Sequence, residues 1–155
     1  DLDPQAAATY LLRTKAKAAR ETGDHGTAID ALEQALVILR GQAEPDQRDI
    51  AATLLVLGQS LKISGDKPRA GRVYEQALAA DKLDPDPTGR TRAVTLHGLA
   101  NLERDLGRNK QAISRYAEAE LLFERSFELV YCLPDFRMLT AQLFQFGSFL
   151  CIGHA

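Results

Sequence analysis

The stretch TLLVLGQSLKISGDKPRAGRVYEQALAAD, residues 53–81, reads as two amphipathic helices that meet at Gly65-Asp66. Apolar residues recur every three or four positions on both sides of this dipeptide, as they do on one face of a helix. Pro68 follows in the first turn of the second helix, where its missing N–H is not needed. The stretch is therefore predicted to form a helical hairpin.

The same pattern occurs once upstream and once downstream, at an offset of 42 residues. Six sets of residues share this offset: Leu12, Leu54 and Leu96; Ala16, Gly58 and Ala100; Gly23, Gly65 and Gly107; Ala28, Ala70 and Ala112; Leu32, Tyr74 and Tyr116; and Ala35, Ala77 and Ala119. We call each set a column. A fixed period in this range is typical of stacked helical repeats.

Two proline-containing segments, 44–46 and 84–89, separate the predicted helix pairs, because proline cannot continue a helix and disfavours helical backbone before it. We therefore expect a single domain over residues 1–155. Its predicted parts are repeats at about 3–43, 46–82 and 88–132 and a C-terminal helix at 135–152. The chain does not begin with Met, so we expect it to be a fragment of a longer protein.

Composition limits the classes of partner. Apolar residues make up 45% and charged residues 26% of the chain, and the formal net charge is -2, as in soluble folded proteins. No apolar run is long enough to span a membrane, and no basic stripe indicates nucleic-acid binding. Cys132 and Cys151 are too few for a disulfide framework, which favours a reducing compartment. We expect a cytoplasmic protein that binds neither membranes nor nucleic acids.

The glycine column and the three small-residue columns resemble the tetratricopeptide repeat. Its small residues lie where two helices cross, since a small side chain lets the backbones approach. The resemblance implies an all-α fold, a right-handed α-solenoid of antiparallel helix pairs. The period of 42 residues exceeds the usual 34 and looks like the long variant found in kinesin light chains and many bacterial signalling proteins. Glu103 stands in the column of Ala19 and Leu61, so we expect different packing there.

The resemblance also implies a concave groove lined by the first helix of each repeat. The expected peptide-binding residues, which we call the first-helix groove, are Tyr10, Arg13, Lys17, Arg20, Leu55, Gln59, Lys62, His97, Asn101 and Arg104. Basic side chains predominate, which favours a protein or peptide partner of acidic character. Arg20, Lys62 and Arg104 have an alternative explanation, because a cation in the last turn of a helix is favoured by the helix dipole. Gln59 and Asn101 are expected to bind a peptide backbone through their amides.

Catalytic signals are missing from the sequence. The three histidines have no metal-like spacing with the cysteines or acidic residues, and Gly65 to Gly71 lacks the ending of a phosphate loop. We expect no catalytic residue, no metal site and no cofactor. The main hypothesis is a non-catalytic interaction module that binds a partner peptide or helix. The alternative is a sensor or autoinhibitory arm of a larger regulatory protein.

The predicted C-terminal helix is crowded with aromatic residues: Phe136, Phe144, Phe146 and Phe149. An uncovered apolar face normally marks an interface. Three interpretations remain open: continuation into further repeats, self-association as a homodimer, and a capping helix with its aromatic side chains turned inward. Because a capping helix should have a polar outer face, the sequence favours the first two.

Overall fold

The computed structural model describes residues 3–131, with side chains up to residue 126. This part of the chain contains six helices and no strand: α1 (Pro4–Glu21), α2 (His25–Arg40), α3 (Gln47–Ser64), α4 (Lys67–Leu83), α5 (Arg90–Asp105) and α6 (Asn109–Tyr131). Each first helix (α1, α3, α5) packs on the second helix of its own pair, and α2 and α4 also pack on the first helix of the next pair. The prediction of an all-α solenoid of helix pairs is confirmed. The predicted helix at 135–152 lies outside the described residues.

The helix ends follow from local chemistry. The first four helices share an aspartate as N-cap, whose carboxylate accepts a hydrogen bond from a backbone N–H of the first turn: Asp3, Asp24, Asp46 and Asp66. Such a cap satisfies a donor that has no partner inside the helix. Gly65, at the end of α3, has φ of 95°, and its column partners Gly23 and Gly107 are also left-handed. Only glycine adopts this backbone without strain, which explains the glycine column.

The linker before α5 is organised by Asp86. Gly89, the residue before α5, offers no side-chain cap. Instead, the Asp86 carboxylate accepts hydrogen bonds from the backbone N–H and the hydroxyl of both Thr88 and Thr91, at 2.9–3.2 Å. One aspartate therefore orders a segment with two prolines and fixes the start of α5.

The small-residue columns lie where the helices cross. Ala28 and Ala70 are fully buried and Ala112 is 2% exposed. The column of Ala77 is buried to the same extent. The predicted packing role of these columns is confirmed, because close approach of two helices requires small side chains at the crossing.

Ala70→Leu is expected to lower the free energy of unfolding by about 1–3 kcal/mol, because extra methylene groups between packed helices force side chains and backbone apart. Urea denaturation measures the loss. Ala79→Leu, the same change at an exposed position of α4, is the control and should be nearly neutral. Equal effects of the two substitutions would contradict the packing at Ala70.

Polar contacts between helices recur at one spacing. Four pairs join residues 36 positions apart: Arg13 with Asp49, Glu33 with Arg69, Arg40 with Gln76, and Arg48 with Asp84. Exposed pairs of this kind contribute about 0–1 kcal/mol each. Three of the pairs join the first repeat to the second, and the pair of Arg48 and Asp84 joins the start of α3 to the residue that follows α4.

Candidate functional site

The first-helix groove contains a cavity at its α1 end. A cavity of about 770 Å³ lies between α1, the end of α2 and the start of α3, and its lining includes Tyr10, Arg13 and Lys17. These side chains project from one face of α1, since residues three or four apart lie one above the other on a helix. Tyr10 is 71% exposed, and Leu39 contributes an apolar wall. Three of the ten predicted groove residues are thus brought together around one open cavity.

Two groove arginines hold α1 to α3. Arg13 Nη1 donates to Asp49 Oδ1 at 2.9 Å, and Arg20 Nη2 donates to Gln59 Oε1 at 3.0 Å. The carboxylate of Asp49 offsets the charge of Arg13, whereas neutral Gln59 leaves the charge of Arg20 in place. These contacts were not apparent from the sequence, because they depend on the relative position of the two repeats.

The other cations of the first-helix groove do not hold α1 to α3. Lys17 Nζ lies 4.0 Å from Glu21 Oε1, with 78% of its side chain exposed, and Lys62 is half-buried. Arg104 Nη2 lies 3.5 Å from Asp105 Oδ1. Exposed ion pairs of this kind are weak, so these side chains can exchange one carboxylate for another. The half-buried Leu55 adds an apolar element on α3.

In the third repeat, Asn101 is already hydrogen bonded. Its Nδ2 donates to the backbone oxygen of His97 at 3.0 Å and lies 3.2 Å from the ring Nδ1. Its Oδ1 accepts from the Tyr116 hydroxyl at 2.7 Å, and the rings of His97 and Tyr116 meet edge to face with centroids 5.5 Å apart. Both ends of the amide are occupied, so the exposed edge of His97 is better placed to meet a ligand than Asn101.

Tyr74 connects the groove to the core. Its ring lies between two glycines on neighbouring first helices, because a Cβ atom built at Gly58 would lie 2.6 Å from the ring and one built at Gly98 would lie 2.9 Å from it. Burial raises the pKa of the hydroxyl to about 12. The sequence analysis placed Gly58 in a small-residue column, but it did not identify the ring that needs this glycine and Gly98. The available signal in the sequence was the change from Leu32 in the first repeat to Tyr74 in the second, which indicates that a larger side chain has to be accommodated there.

The third repeat contains an ion pair between a buried carboxylate and a half-buried arginine, which the sequence analysis missed. Arg115 donates through Nε to Glu103 at 2.9 Å and through Nη2 to Glu75 at 2.8 Å, joining three helices. Glu103 is 7% exposed. In the second repeat the columns of Glu103 and Arg115 contain Leu61 and Val73, both buried. The expectation that the third repeat packs differently at Glu103 is confirmed, and the paired change in two columns was the available signal.

The predicted self-association residues, Phe136, Phe144, Phe146 and Phe149, lie outside the described residues. Within residues 3–131, no group of three or more His, Cys, Asp or Glu side chains is arranged to hold a metal ion. None of the helices in this described range is both long and apolar enough to cross a membrane.

Comparison with known proteins agrees with this architecture. A family model described as tetratricopeptide repeat matches residues 5–82, which comprise α1 to α4 apart from the first and last residue. No curated protein matches the chain. The matched segment covers half of the chain and includes the glycine turns and crossing alanines of two repeats. The chain therefore belongs to the tetratricopeptide repeat family.

Proposed function

We propose that the first-helix groove binds an extended or helical segment of a partner protein. Tetratricopeptide repeats are in general protein-interaction modules, and stacked repeats present extended concave surfaces for this purpose. In this proposal the protein is a non-catalytic scaffold. The alternative, a regulatory arm of a larger protein, stays a prediction.

The observation that carries the proposal is the α1 cavity. Its volume of about 770 Å³ is sufficient for several side chains of a peptide, and it combines an exposed aromatic ring, an apolar wall and the exposed cation of Lys17. Exposed tyrosines supply much of the contact area in protein interfaces because they lose little conformational entropy on binding. We therefore place the anchor of the partner segment beside Tyr10.

The charges around the groove favour an acidic partner. Five basic groove residues face three acidic neighbours, and two of the basic residues are Lys17 and Lys62, which take no part in holding α1 to α3. Electrostatic complementarity mainly sets specificity and the rate of association. We therefore expect carboxylate side chains in the bound segment, opposite these lysines.

Reversing both lysines, in the variant Lys17→Glu with Lys62→Glu, is expected to weaken binding about tenfold, from the loss of two exposed charge contacts and the added repulsion. The probe is a fluorescent peptide selected from a random peptide library against the wild-type protein, and fluorescence anisotropy measures its affinity. Added salt should weaken wild-type binding for the same reason.

The control variant carries Lys110→Glu and Arg125→Glu, the same change in net charge at exposed positions of α6. Its affinity should remain within about twofold of wild type. If the control variant loses as much affinity as the groove variant, attraction by net charge explains the binding and the groove does not. If neither variant loses affinity, the acidic-partner proposal is wrong.

A further inference from the structure

One face of α1 is exposed although the corresponding face of α3 is buried. Its residues Leu11, Lys15 and Ala18 are exposed, Leu11 to 67%. The residues of the same columns in α3 are all buried: Thr53, Leu57 and Ser60. We call the α1 set, together with Ala8, the head face. It is the face through which the later first helices contact the preceding repeat.

The second face lies at the other end, on α6. Its residues Ile113 and Glu120 are exposed, Ile113 to 67%, and Phe123 is half-buried. We call these three residues the tail face. Their columns in the first repeat contain Ile29, which is half-buried, and two leucines that are buried: Leu36 and Leu39. The tail face is thus the face that α2 and α4 turn toward the next repeat.

Contacts inside the array show which columns meet at a junction. Arg92 Nη1 of α5 lies 3.9 Å from Asp81 Oδ2 of α4. A Cβ atom built at Gly71 of α4 would lie 3.2 Å from the Leu102 side chain of α5. At the junction of the first two repeats, Leu36 of α2 and Leu57 of α3 line the same cavity.

Because the repeats are offset by 42 residues, each internal contact predicts which residues would meet at a junction between two copies of the chain. The contact of Asp81 with Arg92 predicts that Phe123 of one copy meets Ala8 of the next. The contact of Gly71 with Leu102 predicts that Ile113 meets Ala18. Each pair sets a large side chain against a small one, as the internal pair of Gly71 and Leu102 does. The sizes of the side chains on the two faces are therefore complementary.

The charges of the two faces are also complementary. Leu36 and Leu57 line one cavity at the first junction, and their columns contain Leu78 and Leu99 at the second. At the junction between copies, the same two columns contain Glu120 on the tail face and Lys15 on the head face. Neither side chain has an ion-pair partner among the described side chains of residues 3–126. A carboxylate and an ammonium group would meet where the internal junctions are apolar.

We propose that the chain associates head to tail with a second copy of itself, the tail face of one copy packing on the head face of the next. An ion pair between Glu120 and Lys15 sets the register of this junction. The contact is heterologous, so each added copy leaves one head face and one tail face open. The proposal concerns faces of α1 and α6 that lie outside the first-helix groove, and it is independent of that groove.

Sedimentation velocity over a range of protein concentrations tests this. The average molecular mass of the wild-type particles should rise with protein concentration, because copies associate. Lys15→Glu and Glu120→Lys should each raise the dissociation constant about 100-fold, because like charges then face each other across the junction. The double variant, Lys15→Glu with Glu120→Lys, should restore association to within about tenfold of wild type. Circular dichroism confirms that each variant is folded.

The matched control is Lys17→Glu, the same substitution on the groove side of α1, which should leave association unchanged. A wild-type protein that remains a monomer at high concentration would overturn the proposal; coverage of the tail face by the residues that follow α6 would give this result. A double variant that associates no better than the single variants would overturn it as well, because the ion pair would then not form.

Discussion

Arg115→Val is expected to lower the free energy of unfolding by about 3–5 kcal/mol, the usual loss when a buried charge is left without its ion-pair partner. Without Arg115, the carboxylate of Glu103, which is 7% exposed, has no cation to compensate its charge. The contact with Glu75 is lost as well. Urea denaturation followed by circular dichroism measures the change.

The double variant Glu103→Leu with Arg115→Val gives the third repeat the Leu61 and Val73 pair of the second. Its stability should be close to or above that of wild type, since well-packed apolar residues often replace a buried ion pair without loss. Arg125→Val is the control for removing an exposed arginine from α6. A single Arg115→Val variant within about 1 kcal/mol of wild type would show that the ion pair has little part in joining α4, α5 and α6.

Tyr74→Ala is expected to cost about 3–5 kcal/mol, the range for truncating a large buried aromatic side chain. The ring fills the space that Gly58 and Gly98 leave between α3 and α5. Its removal opens a cavity bounded by two helix backbones, which cannot collapse without moving both helices. Thermal and urea denaturation both measure this loss.

Tyr116→Ala is the matched control, because Tyr116 occupies the same column as Tyr74 and is only half-buried. Its loss should be less than half of that of Tyr74→Ala, although it also removes the hydrogen bond to Asn101. Equal losses for the two tyrosines would contradict the description of Tyr74 as the side chain that joins two repeats.

The fold was readable from the sequence because its determinants are local and repeated. The glycine column marks left-handed turns, and the alanine columns mark helix crossings, so neither requires knowledge of distant contacts. The helix ends were less exact: the stretch predicted to form the helical hairpin ends at Asp81, whereas α4 continues to Leu83. Amphipathic periodicity fades at the last turn of a helix, whereas its backbone hydrogen bonds continue.

The site was readable only in part. Spacing along α1 placed Tyr10, Arg13 and Lys17 on one face, and the structure gathers them around one cavity. The interactions of Gln59 and Asn101 could not be predicted, since they depend on which side chains of another helix lie within hydrogen-bonding distance. The ion pair of Arg115 with Glu103 could have been predicted, because their two columns change together from apolar to charged residues.

The most direct test of groove binding is NMR mapping of the selected peptide on the wild-type protein. Binding should shift the amide signals of α1, α3 and α5 and of the last turn of α2 beside the cavity, most strongly around Tyr10 and Lys17, and leave those of α4 and of the first turns of α2 nearly unchanged. Shifts concentrated on α2 and α4, with none along the first helices, would contradict the proposed function.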